Sequence, residues 1–326
     1  MDTKRPIAPA AEEILGCYFP VLDHGFVSLV DYMGSDEDVE RAARVSYGYG
    51  TRKTSQTRGL IRYLRRHRHT TPSEMVELKF HCSMPVFVAR QWIRHRTASV
   101  NEMSGRYSLM PLLYYAPARS EFQAQSPSNR QGRSGAPLDA LYADAVARWE
   151  RIRREASEGY EWLVGNDVAR ELARIDLPLS VYTQWYWKID LHNLLHFLTL
   201  RVDPHAQYEI RAFGVVMAGM LQRVAPLSFE AWVDYDVAGT TLSRGELAAI
   251  RRLVRVRDGG VDATSARITA TELETLGLST REIEELLAKL DAPNTVEDFT
   301  LDLSRARSPE DFAREMEAAV PKVDRR

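Results

Sequence analysis

Cysteine is scarce in this sequence of 326 residues, which contains only Cys17 and Cys82. The two residues are far apart along the chain, so they form neither a Cys-x-x-Cys redox pair nor half of a zinc site. We therefore expect two plain thiols.

Long apolar runs are missing as well. No run approaches the ~20 residues that a membrane-spanning helix needs. The first residues, MDTKRPIAPAAEE, lack the hydrophobic core of a signal peptide. Glycine and proline, at 18 and 15 residues, are too few to indicate a fibrous or disordered chain. These absences predict a cytoplasmic globular protein with no membrane partner.

The chain also lacks a surplus of positive charge, because 43 Lys and Arg residues face 45 Asp and Glu residues and the formal net charge is −2. Since general nucleic-acid affinity needs a basic surface, we expect no nucleic-acid partner. The charge is unevenly distributed, with an acidic region over 271–317. Basic residues concentrate in one earlier region: Arg52, Lys53, Arg58, Arg62, Arg65, Arg66, His67, Arg68, His69, Arg90, Arg94, His95, Arg96 and Arg106. Such a concentration suits a small polyanion such as a nucleotide, and a solvated arginine-rich helix face is the alternative.

Periodicity and capping residues predict the main elements. Residues 76–83 and 181–188 alternate between apolar and polar side chains, which is typical of half-buried strands. Helical stripes cover 138–152 and 160–172. Further helix starts are predicted at Ser35, Pro85, Asp190 and Asp203-Pro204, the last helix running to about Val224.

The chain divides into an N-terminal extension, 1–17, a main domain, 18–237, and a helical C-terminal extension, 238–326. Short helices of the extension have their own start signals at Ser243, Thr271, Ser279 and Ser308. The composition of 123–137, rich in Ser, Gly, Gln and Asn, predicts a flexible surface loop inserted into the main domain. The predicted class is α+β, with mixed helices, an antiparallel sheet and a helical appendage.

The sequence RHRTASVNEMSGRYS, at 94–108, gathers arginines, a histidine, a glutamate and serines beside a helix end. Arginine forks match phosphate oxygens and pyrimidine carbonyls, and small residues let a ligand approach the backbone. The segment therefore predicts a ligand site, with a salt-bridged surface turn as the alternative.

Within this segment, Arg94-His95-Arg96 followed by seven residues and Ser104 resembles the RHR-x7-S motif of flavin-dependent thymidylate synthases. The chain is similar to that family in further motifs: RAARVSYG (41–48), HTTPSE (69–74), ARQW (89–92), NEMSGRYS (101–108), ARIDLPLSVYTQWYW (173–187) and LRVDPHAQYEI (200–210). We expect the resemblance to cover about 18–235 and to leave out the C-terminal third.

The resemblance implies the fold of that family and a reductive methylation of dUMP to dTMP. Methylenetetrahydrofolate would be the carbon donor, NADPH the reductant and FAD the hydride carrier. It also implies a homotetramer whose sites are shared between chains, and no cysteine that attacks the pyrimidine.

Roles for individual residues follow from the same resemblance. Arg201 corresponds to the arginine that favours ionised uracil and so activates the ring, which makes it the implied catalytic residue. Contacts to dUMP are implied for Gln91, Arg94, Glu102, Met103, Ser104, Gly105, Arg106, Arg174 and Arg201. Contacts to FAD are implied for Ser46, His69, Thr71, Arg94, His95, Arg96, Glu102, Asp190, His192 and His196. No metal ligand is implied.

The sequence departs from the family pattern at two places. Asp190, His192 and His196 stand where the family often has Asn or Arg contacts to flavin, and an aspartate beside phosphates would repel them unless it faced the ribose or adenine. Met75 stands where a histidine usually follows the TPxE motif.

Two alternatives come from other classes of protein. One is a metal-dependent hydrolase. His192 and His196 are four residues apart on a predicted helix, and His205 follows nine residues later, so these side chains could hold a metal ion. However, Asn193 stands where the HExxH motif has its glutamate. The other alternative is a nucleotide- or flavin-binding protein without turnover.

Overall fold

The computed structural model describes residues 6–46, 57–127, 132–293 and 295–322. Tyr47, Gly48, Arg52 and Lys53, which belong to the motifs and the basic region above, lie outside these ranges. The chain forms two compact units, Met1–Ala231 together with Phe299–Arg326, and Trp232–Asp298.

Strands and helices alternate irregularly along the first unit. The strands are β1 (Tyr18–Val21), β2 (Gly25–Met33), β3 (Glu77–Pro85), β4 (Ser99–Glu102), β5 (Gln123–Gln125), β6 (Arg133–Pro137) and β7 (Tyr182–Asp190). The helices are α1 (Pro9–Glu12), α2 (Asp36–Val45), α3 (Thr57–Arg66), α4 (Thr71–Glu74), α5 (Val86–Trp92), α6 (Asp139–Gly165), α7 (Arg170–Ala173), α8 (Leu191–Arg201), α9 (Tyr208–Val224) and α10 (Pro226–Trp232), with a 3₁₀ turn at Arg119–Glu121.

A five-stranded sheet in the described part of the first unit has the order β1-β2-β3-β7-β4, and its neighbouring strands are antiparallel. In β3 the predicted alternation buries Leu78, Phe80 and Cys82. Phe80 is opposite Trp187 of β7, so the apolar faces of the two predicted strands form one surface. The prediction was wrong for Ser83, which is buried because both faces of β3 are covered at its end. The predicted α+β class, with mixed helices and an antiparallel sheet, is confirmed.

Trp92, at the end of α5, lies at the centre of the core. Its ring makes edge contacts with Trp185 and Trp187 of β7, each with centroids 5.4 Å apart, and stacks on Phe197 of α8 at 5.1 Å. Each such aromatic pair contributes about 0.5–1.5 kcal/mol beyond the burial of area. The cluster fixes α5 and α8 against the sheet, and the RHR segment follows directly from α5.

Several predicted helix starts are confirmed. Ser35 precedes α2, and Oδ2 of Asp38 accepts a hydrogen bond from its backbone N–H at 3.0 Å. Pro85 precedes α5, and Asp190 caps α8 by accepting from the backbone N–H of Asn193 at 2.9 Å. These signals are local, which is why the sequence reveals them.

The predicted helix start at Asp203-Pro204 was wrong. The helix α9 begins at Tyr208, because Oδ1 of Asp203 accepts from the backbone N–H of His205 at 2.7 Å and closes a turn. The stripes at 138–152 and 160–172 belong mainly to one long helix, α6, which ends at Gly165 before the short α7.

The segment 123–137 is more regular than its composition predicted. In the part that the structure describes, β5 and β6 pair as an antiparallel hairpin, with Gln123 opposite Pro137. Residues 128–131 of the predicted loop lie outside the described ranges.

The second unit mixes short helices with a hairpin. After a π-helical turn at Val233–Val237 come α11 (Arg244–Leu253), β8 (Val254–Arg257), β9 (Gly260–Ala263), α12 (Ala270–Thr275) and α13 (Thr280–Asp291). The Ser243 and Ser279 starts are confirmed as capping boxes, but the cap of α12 is Thr269 with Glu272, two residues before the predicted Thr271. Besides these helices the unit contains one antiparallel hairpin, β8 and β9, which the sequence did not predict.

The last described residues belong to the first unit. They include a 3₁₀ turn at Leu303–Arg305 and the helix α14 (Pro309–Ala318), which Ser308 caps as predicted. The limits of the two compact units therefore differ from the predicted domain boundaries. The division into an N-terminal extension (1–17), a main domain (18–237) and a C-terminal extension (238–326) stays a prediction.

Candidate active site

The segment after the RHR motif is fixed at the edge of the sheet. β4 pairs with β7, with Glu102 opposite Trp185. Thr183 Oγ1 donates to Oε1 of Glu102 at 2.7 Å, and the backbone N–H of Met103 donates to the carbonyl of Gln184 at 2.9 Å. The sheet thus sets the position of the chain where the predicted nucleotide residues begin.

A cleft of about 330 Å³ opens beside this segment. Glu102, Met103 and Gly105, all predicted nucleotide contacts, line it together with Arg174, which comes from the end of α7. A Cβ on Gly105 would lie 2.8 Å from Sδ of Met110, so only glycine fits against this wall without displacement. The structure therefore brings four of the predicted nucleotide residues into one cavity.

Ser104 and Arg106 lie beside the cleft. The backbone N–H of Arg106 donates to Oγ of Ser104 at 3.2 Å, and the exposed Arg106 guanidinium is 3.1 Å from Oε2 of Glu171. Ser104 therefore has a local structural contact and a half-buried side chain, while Arg106 pairs at the surface.

Arg201 lies against the RHR motif. Its Nε–H donates to Nε2 of His95 at 3.0 Å, so the imidazole is neutral with its proton on Nδ1. Burial, and then the charges of Arg201 and His196, lower the pKa of His95 from 6.5 to about 4. Burial also lowers the pKa of Arg201. The pair joins the predicted catalytic arginine to the middle residue of the motif.

Asp190, His192 and His196 have different surroundings on α8. The carboxylate of Asp190 accepts from the backbone and side-chain N–H groups of Asn193, at 2.9 and 2.7 Å, so its structural role is a helix cap. The exposed His196 ring is 6.3 Å from that of His95, and His192 is half-buried. The carboxamide oxygen of Asn193 accepts from Oγ1 of Thr97, which links α8 to the turn after the motif.

A second and larger cleft, of about 820 Å³, is formed by the end of α2, by α3 and by α4. Ser46, His69 and Thr71, three predicted flavin contacts, line it. Tyr63 and Arg68 line it too, and the Tyr63 ring contacts that of His69 with centroids 5.8 Å apart.

The remaining predicted residues line neither cleft in the described ranges. Arg94 and Arg96 are exposed at the end of α5. Oε1 of Gln91 is buried without a hydrogen-bond partner among the described residues. The structure separates Arg174, in the smaller cleft, from Arg201, which contacts His95.

Sequence reasoning missed several residues that line the clefts. Met110, Glu171 and Ile175 line the smaller cleft and Tyr63 the larger one, whereas Arg68 belongs to the basic region that the sequence singled out. Ile175 lies within the ARIDLPL motif and Glu171 lies two residues before it, so the motif and its neighbourhood were a usable signal. Met110 carried none, because its role depends on contact with Gly105.

A search of the described residues finds no group of three or more His, Cys, Asp or Glu side chains arranged to hold a metal ion. Within the same ranges, no helix combines the length and the apolar character that crossing a bilayer requires.

Sequence comparison identifies relatives over most of the chain. The flavin-dependent thymidylate synthase of Gluconobacter oxydans (strain 621H) is 54% identical over 295 residues, which cover 89% of this chain and 92% of that protein. The enzyme of the same name from Rickettsia bellii (strain RML369-C) is 45% identical over 297 residues, 87% of this chain and 97% of that protein. A match to 89% of the chain cannot be contained in residues 1–237, so the expectation that the resemblance leaves out the C-terminal third was wrong.

Structure comparison agrees with the sequence. Crystal structures of the UMP/dUMP methylase PolB from Streptomyces cacaoi, bound with 5-Br UMP and with 5-Br dUMP, each superimpose with a TM-score of 0.61. They are 32% and 33% identical to this chain and cover 67% and 66% of it, in each case 97% of the solved chain. The family model described as thymidylate synthase complementing protein matches residues 28–227. This chain therefore belongs to the family of flavin-dependent thymidylate synthases.

Proposed function

We propose that this protein converts dUMP to dTMP by reductive methylation, with methylenetetrahydrofolate as carbon donor, NADPH as reductant and FAD as cofactor. The observation that carries the proposal is the smaller cleft, where Glu102, Met103 and Gly105 meet Arg174 from a distant part of the chain. Its relatives are named flavin-dependent thymidylate synthases, and two structural neighbours were solved with brominated UMP or dUMP.

The lining of the smaller cleft suits a pyrimidine nucleotide. Apolar side chains such as Leu177, Leu179 and Val181 can cover the faces of a pyrimidine ring. The guanidinium of Arg174 can bind phosphate or carbonyl oxygens with two parallel hydrogen bonds. Gly105 lets the ligand approach the backbone, so the cleft can bind and orient dUMP.

Arg201 is proposed to activate the pyrimidine. Its guanidinium is half-buried, where a charge acts more strongly than in bulk water, and a fixed cation beside the uracil ring favours the ionised ring. The neutral His95 holds the guanidinium through Nε and leaves its terminal nitrogens for the substrate. His95 is in this view a positioning residue for Arg201.

The two cysteines support activation by arginine. Cys82 is completely buried in the core face of β3, and burial raises the pKa of its thiol well above the ordinary value. Cys17 Sγ is 3.9 Å from the backbone carbonyl of Glu13, in a different part of the first unit. Neither thiol has the activated setting that a nucleophile requires.

The larger cleft fits a flavin nucleotide. Its volume of about 820 Å³ lies in the range of roughly 300–1,000 Å³ that is usual for small-molecule sites. Ser46, His69 and Thr71 offer hydrogen bonds, Arg68 offers a cation for a phosphate, and Tyr63 offers an aromatic surface. FAD, when bound, supplies the hydride chemistry, and these residues would hold and orient it.

We propose that the site is completed in a homotetramer. Large apolar side chains next to the smaller cleft are exposed in the single chain: Tyr107, Leu172, Ile175 and Leu179. Exposed apolar surface of this kind marks a protein interface. An interface here would bring residues of a second chain to Arg174. We place the reaction in the cytoplasm.

A spectrum of the purified protein, followed by NADPH oxidation with and without dUMP, tests the proposal. We expect flavin absorbance, and flavin reduction that leads to dTMP when dUMP and methylenetetrahydrofolate are present. Colourless protein that cannot be reconstituted with FAD would contradict the flavin assignment. Flavin-containing protein that binds dUMP but forms no dTMP would instead indicate binding without turnover.

A further inference from the structure

The C-terminal segment 306–320, here called the tail, is attached to the first unit at the β1 edge of the sheet. Tyr18 of β1 and Arg307 exchange two backbone hydrogen bonds, of 3.0 and 2.8 Å. Phe312 of α14 is buried against the rings of Tyr18 and Phe26, with centroids 5.4 and 4.8 Å away. Nδ1 of His24 is 2.9 Å from Oε1 of Glu315. The tail thus covers the edge strand with backbone, aromatic and polar contacts.

From Tyr18 a chain of side-chain contacts crosses the sheet. The hydroxyl of Tyr18 is 2.9 Å from Nδ1 of His81, and Nε2 of His81 is 3.0 Å from Oε1 of Gln184. The amide nitrogen of Gln184 donates to Sδ of Met103 at 3.7 Å, and its backbone carbonyl accepts from the Met103 N–H. The path ends at a residue that lines the smaller cleft.

The direction of these hydrogen bonds is fixed by chemistry. A carboxamide oxygen only accepts, so Nε2 of His81 must donate to Gln184. Burial lowers the pKa of His81, which keeps the ring neutral and leaves Nδ1 as an acceptor for the Tyr18 hydroxyl. Phe26 and Tyr186 contact the imidazole on two sides, with centroids 4.9 and 4.7 Å away. At neutral pH the His81 ring therefore has its proton on Nε2, and these contacts fix its orientation.

A second route joins the tail to another lining residue of the cleft, Met110. The carbonyl of Ala319 accepts from the backbone N–H of Leu112 at 2.9 Å. Leu112 packs in the same apolar cluster as Met110, and Met110 lies against Gly105. The two routes use different hydrogen bonds, and both lead to methionines that line the smaller cleft and pack in this one cluster.

We propose that the tail positions the walls of the nucleotide cleft, with Tyr18, His81 and Gln184 as the positioning residues for Met103 and with Leu112 as the contact that positions Met110. This inference rests on the proposed function only in assigning the cleft to dUMP. It gives the C-terminal residues a role in substrate binding, although none of them lines the cleft in the described ranges.

The variant Tyr18→Phe tests the first route, because it removes the hydroxyl and keeps the ring against Phe312. In the FAD-loaded protein we expect faster amide hydrogen exchange at Met103, and a dUMP dissociation constant raised about fivefold, the change that losing one ordinary hydrogen bond produces. kcat at saturating dUMP should change less than KM. The matched control is Tyr142→Phe, whose hydroxyl donates to the carbonyl of Pro117, and it should leave both measurements unchanged.

The outcomes separate this inference from the proposed function. Unchanged exchange at Met103 in Tyr18→Phe overturns the positioning role. Faster exchange without any change in dUMP binding supports the positioning role and contradicts the assignment of the cleft to the nucleotide.

Phe312→Ala tests the tail itself. We expect faster exchange at both Leu112 and Met103, because the variant loosens both routes, while Leu303→Ala, at a side chain that is 44% exposed, should have no such effect. Normal exchange at Met103 in a folded Phe312→Ala protein would overturn the proposal. If that variant does not fold, Tyr18→Phe decides, since it leaves the buried rings in place.

Discussion

Arg201 and His95 are 106 residues apart in the chain and share a hydrogen bond of 3.0 Å between Nε and Nε2. The bond exists only while Nε2 of the imidazole has no proton. The protonation of a motif histidine is therefore linked to the position of the arginine that we propose as the catalytic residue.

We expect His95 to titrate with a pKa of about 4 in the folded protein, below its ordinary 6.5. Because the folded state then binds fewer protons than the unfolded state, this contribution to stability is complete above pH 6.5 and is lost as the pH falls towards 4. Histidine NMR signals recorded against pH measure the titration. In Arg201→Ala the pKa should rise but stay below 6.5, because burial is the larger cause. A midpoint near 6.5 in the unaltered protein would contradict the buried, arginine-paired state.

Arg201→Ala should retain FAD and lose dTMP formation. The substitution removes the cation that favours the ionised pyrimidine, and Arg201 is not among the residues that line the larger cleft. Flavin absorbance and dTMP production in the same preparation measure both effects. His95→Gln, which can still accept a hydrogen bond from Arg201, should retain part of the activity. Near-normal turnover in Arg201→Ala would remove Arg201 from its proposed role.

Gly105→Ala should raise the KM for dUMP by roughly tenfold or more, since overpacking costs about 1–3 kcal/mol. The added Cβ would lie 2.8 Å from Sδ of Met110 and 3.1 Å from Cδ of Arg174, so one wall of the cleft must move. Gly159→Ala in α6 is the matched control, because no atom lies within 4 Å of its added Cβ. That control should stabilise the protein by about 0.5–1 kcal/mol and leave the KM unchanged. An unaltered KM in Gly105→Ala would mean that dUMP binds elsewhere.

Arg68→Gly should stabilise the fold and weaken the binding of FAD. Arg68 follows α3 with a φ of 56°, a left-handed conformation that costs a non-glycine residue about 1 kcal/mol. Thermal unfolding and FAD titration measure the two effects. Asp167→Gly, at a φ of 63° after α6, should bring a similar gain in stability with unchanged FAD affinity. Equal FAD affinity in Arg68→Gly would exclude this guanidinium from the cofactor site.

The sequence predicted those parts of the fold that depend on neighbouring residues. The alternation in β3 up to Cys82 and in β7 from Thr183 onwards is local and is confirmed, as are the caps at Ser35 and Asp190, whereas Ser83 and Tyr182 are buried against the prediction. β4 was not predicted, because its short polar sequence pairs only where β7 offers a free edge. The start of α9 was mistaken because Asp203 closes a turn with the hydrogen bonds that an N-cap would make.

The candidate site was predicted residue by residue through motifs, but its spatial arrangement was not. The motifs name Gly105 and Arg174, yet nothing in their spacing shows that both contact the cleft beside Met110. The contact between Arg201 and His95 depends on how α8 packs against the core. Such contacts between distant residues follow from packing, which single-sequence patterns do not contain.

The cap of α8 has a consequence for the angle at which Arg201 projects. Asp190 defines the first residue of this helix, and Arg201 is its last, at the end of eleven residues. Each residue of an α-helix turns the chain by about 100° around the axis. One residue inserted or deleted between them would keep the sequence of the motif around Arg201 intact and would still rotate its side chain away from His95. By fixing where the helix begins, the cap at Asp190 thus determines the direction around the helix axis in which the Arg201 side chain points.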